Sequence, residues 1–179
     1  MGEFLDGKKH GLGAEECEEY FYEGSFAADK KEGNGQIKYK LKDDCYEGNF
    51  VNDAINGVGS YTWANKHAYT GSFVDGKMEG QGTYKWPSGE EYTGDYKNNI
   101  KMGYGVFKWP NGKIFEGPFV NGNPNGEGKL IYEGKIINAK FIDGKLDSSS
   151  LSERGPKFKR KTTKEIQNPP IQNFPKLII

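Results

Sequence analysis

Residues 69–91 and 92–114 carry the same pattern almost position for position, 23 residues apart. Each copy opens with an aromatic, a glycine and a second aromatic at alternate positions: Tyr69, Gly71, Phe73 and Tyr92, Gly94, Tyr96. A turn follows, then a glycine pair (Gly80, Gly82; Gly103, Gly105) that leads into Tyr84, Trp86 or Phe107, Trp109 and a closing Pro-x-Gly. The same register recovers Tyr22 and Gly24, Tyr46 and Gly48, and Phe115 and Gly117. The chain therefore divides into a partial unit over 1–21, full units over 22–45, 46–68, 69–91, 92–114 and 115–136, and a half unit over 137–147. A fixed period of this length builds a one-dimensional stack in which each unit packs only on its neighbours.

Within a unit the period is two. In Tyr69-Thr70-Gly71-Ser72-Phe73 the rings and the glycine face one way and the hydroxyls the other, which is strand periodicity. Between the halves lie Asp-Gly and Asn-Gly pairs or variants such as Asn52-Asp53, residues that tolerate positive φ and reverse the chain. Trp86-Pro87-Ser88-Gly89 and Trp109-Pro110-Asn111-Gly112 supply the second reversal. The pattern predicts an all-β fold: an elongated single-layer antiparallel β-hairpin array with an extended tail over 148–179. Hydrophobic residues make up only 34%, whereas glycine numbers 26 and Tyr and Phe 11 each, a balance suited to one layer of strands and not to a thick core.

Glycine inside a strand costs about 0.5–1 kcal/mol, so its recurrence needs a reason. A ring from the adjacent strand lying flat on the bare backbone would recover that cost. Trp63, Trp86 and Trp109 share one strand position. Two readings of them stay open: they pack on neighbouring glycines, or part of the aromatic face stays uncovered and binds a partner.

Charge is unevenly spread. Residues 148–179 hold seven Lys or Arg and two Glu, net +5, which leaves the body at −5. In that tail Ser148–Ser152 reads as a spacer, and Lys159, Arg160 and Lys161 centre a basic run. Ile171 and Phe174 lead an apolar end suited to docking in a large assembly. The acidic body would repel nucleic acid. The Gly-x-Gly pairs lack the spacing of a nucleotide cradle. His10 and His67 are expected to be solvent-facing turn residues, and Cys17 and Cys45 ordinary free thiols without zinc or disulfide spacing. No cofactor, metal or small-molecule substrate is expected. No apolar run or signal-like start is present, so the expected compartment is intracellular.

Laid out as Tyr-x-Gly-x-Phe, turn, Gly-x-Gly-x-aromatic-x-aromatic and Pro-x-Gly, residues 2–147 resemble a MORN-repeat protein (membrane occupation and recognition nexus). Tyr39, Trp63, Trp86, Trp109 and Tyr132 each stand 17 residues after their leading aromatic. The resemblance implies a non-enzymatic scaffold. Repeats plus a short tail are most similar to axonemal members such as those of the radial spoke head. It further implies other proteins as partners, with a second copy possible, in a cilium or cytoskeleton. The alternative is a tether on the cytoplasmic face of a membrane through anionic lipid.

Overall fold

The computed structural model describes residues 2–153. Among these residues fifteen strands form one antiparallel sheet. The first eight are β1 (Gly2–Leu5), β2 (Lys8–Glu16), β3 (Tyr20–Ala27), β4 (Lys30–Tyr39), β5 (Cys45–Val51), β6 (Ala54–Thr62), β7 (Ala68–Val74) and β8 (Lys77–Lys85). The others are β9 (Glu91–Lys97), β10 (Ile100–Lys108), β11 (Ile114–Val120), the two-residue β12 (Asn123–Pro124), β13 (Gly126–Tyr132), β14 (Lys135–Ile142) and β15 (Lys145–Glu153). Their order in space is their order in sequence, with β12 pairing beside the path on β11. The expected all-β hairpin array is the observed fold.

The register aligns one glycine from each of β2–β11 and β13 into a column. It runs through pairs such as Gly24 with Gly35, Gly59 with Gly71, Gly82 with Gly94 and Gly105 with Gly117. Over this column lie the leading rings. A Cβ on Gly71 or on Gly82 would fall into the Tyr69 ring, and the same holds for Tyr22, Tyr46 and Tyr92 over their own glycine pairs. Each ring therefore covers two glycines at once, one on its own strand and one on the next. The expectation of a ring supplied by the adjacent strand describes only half of the contact. All four hydroxyls reach on to donate to a carbonyl: Tyr22 to Ser25 at 2.9 Å, Tyr46 to Asn49 at 3.0 Å, Tyr69 to Ser72 at 3.1 Å and Tyr92 to Asp95 at 3.3 Å.

The first glycine of each Gly-x-Gly pair has a separate task. Gly80 (φ 68°) and Gly103 (φ 62°) adopt left-handed backbone where the pairing register shifts inside the hairpin. Such a bulge bends the strand and increases its twist. At the hairpin tips Asp6, Asn52, Asp75, Asn98, Asn121 and Asp143 all have positive φ, as the turn pairs predict. Each tip also bonds back to the preceding hairpin: the amides of Asp53, Gly76, Asn99 and Gly122 donate to Lys31, Ile55, Met78 and Lys101. Where the tip is Asp53 or Asn99 the side chain closes a second bond, onto the amide of Lys31 at 2.9 Å or of Met78 at 2.7 Å.

The sheet does not stop near Asp147. β15 pairs with β14 through Asn138 with Ser152 and Ile137 with Glu153, so the expected spacer over Ser148–Ser152 is instead strand. The reason lies in the half unit: Ala139 takes the place of a column glycine opposite Gly128, and Leu146 and Leu151 pack on the core beside it.

Candidate interaction surface

The ring face is closed by its own side chains. One file of rings packs edge to face along the ribbon, Tyr46 on Phe50 and Phe73, Tyr69 on Phe73 and Tyr96, Tyr92 on Tyr96 and Phe119, with centroids 4.7–5.4 Å apart. Such contacts contribute about 0.5–1.5 kcal/mol each beyond the area they bury. A second file runs through Tyr61, Trp63, Tyr84, Trp86, Phe107 and Trp109 at 4.5–5.6 Å. Trp63, Trp86 and Trp109 are left 6%, 5% and 5% exposed. They are not an open stripe, and they pack on Tyr and Phe rings instead of on glycines. Single-layer architecture does not leave the face bare, because each unit's rings roof the next.

Polar groups complete this face, and the alternation pattern hides them. Two residues before the leading aromatic, Asp44 accepts from the Tyr61 hydroxyl at 3.0 Å, and His67 Nδ1 pairs with the Tyr84 hydroxyl at 2.9 Å. Each satisfies a phenol that would otherwise be buried at a cost. His67 is thus not a solvent-facing turn residue; burial lowers its pKa. Lys101 fills a position held by Ile55 and Met78 in the two preceding units. Its Nζ lies 5.1 Å from the Trp86 ring and 5.5 Å from Phe107, and burial pulls its pKa down to about 7. Lys31 bonds the Tyr20 hydroxyl at 2.9 Å, with Glu15 at 3.7 Å and Asp53 at 3.8 Å. Hydrogen bonds from Lys9 and then Tyr20 hold the Glu15 carboxyl below its ordinary range. These groups are pinned inside the fold and serve it.

The outer face is what remains for a partner. Over β6–β9 it is polar, with hydroxyl pairs Ser60–Thr70 at 3.0 Å and Thr83–Thr93 at 2.9 Å. Glu91 sits between Lys108 at 2.9 Å and Lys85 at 3.6 Å. Glu23 and Glu47 are exposed there, as expected, and Glu116 is half-buried. From β10 onward the same face gains apolar residues among charged ones such as Lys108, Glu116 and Lys129. Tyr104 opposes Pro118, and Ile114, Ile131 and Ile136 form an unbroken row across β11, β13 and β14. Tyr104 is 58% exposed and Ile136 45%. Three exposed apolar residues elsewhere on this face have polar partners: Leu12 opposes Ser25, Val58 opposes Ser72, and Phe21 stands between Glu16 and Lys38. The β10–β14 patch was missed by the sequence reading, although its signal is present: Val106, Ile114, Ile131 and Ile136 put apolar side chains where the period calls for polar ones. Lys159, Arg160, Lys161, Ile171 and Phe174 lie outside the described residues.

The geometry defines a class of protein: a β-hairpin repeat array whose rings are spent on its own interior and whose outer face is left to solvent. The MORN repeat matches residues 1–18, 22–40, 46–67, 69–91, 92–114 and 115–134, and the chain belongs to the MORN-repeat family. No curated protein matches the chain in sequence. Repeats of this family generally mediate contacts with proteins or membrane lipid and are generally non-enzymatic. Among the described residues no three His, Cys, Asp or Glu side chains converge in a metal-binding group.

Proposed function

We propose that the protein is a non-enzymatic scaffold that seats partner proteins of a large assembly on the outer face of its sheet, in a ciliary axoneme of the radial-spoke type. One observation carries the partner-binding part: the apolar row of Ile114, Ile131 and Ile136, with the pair Tyr104 and Pro118 beyond Glu116 and Lys129, on a face that is otherwise hydroxylated or charged. Contiguous exposed apolar surface rimmed by polar residues marks an interaction site. The axonemal setting is supported by repeats that occupy most of the sequence and by the likeness of such chains to spoke-head members.

Co-sedimentation of the purified full chain with demembranated axonemes tests both parts. The wild type should pellet, and Ile136→Glu should weaken retention about ten-fold, as loss of an interface anchor does. Anionic liposomes form the comparison arm. If they pull the protein down, the axonemes do not, and Lys159, Arg160 and Lys161→Ala abolishes the effect, the protein is a lipid tether and the scaffold reading fails.

A further inference from the structure

The same patch has a candidate occupant within the chain. We propose that the C-terminal segment 168–179 folds back over the outer-face patch of Tyr104, Pro118, Ile114, Ile131 and Ile136 and covers it until a partner displaces it. The proposal shares the patch with the scaffold reading but not the partner.

Four observations support it. The described residues end with Glu153 opposite Ile137, the neighbour of Ile136, so residues 154–179 follow on from the border of the patch. Ile171 follows eighteen residues later. That length reaches up to roughly 60 Å when extended, whereas β10 to β14 spans three strand spacings, roughly 15 Å. The segment carries Ile171, Phe174, Leu177, Ile178 and Ile179, apolar side chains that match a patch of Ile, Pro and Tyr. Finally, residues 154–179 hold seven Lys or Arg against one Glu, net +6, which leaves residues 1–153 at −6. The acidic surplus lies in residues 1–100, net −7, while residues 101–153 are net +1, so the attraction holds the tail to the body as a whole. Tethering adds to it, since a linked segment meets its site at high effective concentration.

Hydrogen exchange of the full-length chain, read by mass spectrometry over residues 168–179, tests the proposal against a synthetic peptide of the same sequence. The amides should exchange at least about ten-fold more slowly in the protein. The protection should be lost in the double variant Tyr104→Glu, Ile136→Glu and also in Phe174→Glu, which leaves the sheet untouched, and it should not change on dilution. Exchange at the peptide rate in the wild type, protection that survives both variants, or protection that weakens on dilution and so belongs to a second copy would overturn it. Axoneme binding of the same proteins separates the two readings. An unprotected segment with Ile136-dependent binding removes only the covering tail; a protected segment without binding removes only the axonemal scaffold.

Discussion

At the residue scale, two glycines of one Gly-x-Gly pair are required for different reasons. Gly82 has no room: a Cβ there meets the Tyr69 ring, and forcing volume into packed surroundings typically costs 1–3 kcal/mol and occasionally more. Gly80 has room, with Ser72 at 3.7 Å, but its φ of 68° strains any other residue by about 1–2 kcal/mol. Gly82→Val should therefore lower the urea midpoint by the equivalent of about 3 kcal/mol, and Gly80→Ala by about 1 kcal/mol. Equal losses from the two would show that the ring does not press on the column. Lys101 gives the second residue-scale prediction. Its pKa falls from 10.5 to about 7 through burial, so between those values the unfolded chain binds a proton that the folded chain has released. Stability should then rise as pH climbs from about 7 toward 10.5, and the gain is lost as pH falls back toward 7. Above pH 10 the trend reverses, because burial raises Tyr22 and Tyr46 from 10.0 to about 12 and the folded state keeps protons that the unfolded state loses. Lys101→Met should raise stability at neutral pH by ~2 kcal/mol and flatten the rise; urea melts across the pH range decide it, and an unchanged slope would rule out Lys101 as its source.

At the scale of elements, successive hairpins are held by their tips as well as by their ladders. Asp53 donates its amide to the Lys31 carbonyl at 3.0 Å and accepts the Lys31 amide on its carboxylate at 2.9 Å. Asp53→Ala removes the second bond, worth about 1 kcal/mol, and leaves a non-glycine residue at φ 70°. The Lys31 amide should exchange faster while amides of β8 and β9 keep their rates; a uniform change along the ribbon would mean that the tips do not act locally. The hairpins, their order and both reversals were legible in the sequence because the period repeats residue types that fix backbone geometry, namely turn Asp, Asn and Gly and strand aromatics. What escaped depends on register. That each leading ring spans two glycines follows from which residue opposes which, and Asp44 and His67 serve hydroxyls 17 residues away. β15 was hidden because Ser148–Ser152 has spacer composition, and its pairing comes from the free edge of β14.

At the scale of the whole molecule, the sheet is one layer thick yet has an interior, because the ring files of adjacent units roof one another. The sequence left the fate of the tryptophans open for a physical reason: a period of two tells which face a side chain takes but not whether that face is covered. Covering it leaves the opposite side, with the β10–β14 patch, as the surface on which we propose partners are seated. The three tryptophans, Trp63, Trp86 and Trp109, are all the chain contains and all stand in one file. Intrinsic fluorescence with acrylamide quenching of the native full chain therefore reads the sealed face without any substitution. A blue-shifted emission that resists quenching until the protein unfolds is the expected result; emission at the position of free tryptophan, quenched freely in the native state, would show an open aromatic face and contradict the sealed-face arrangement.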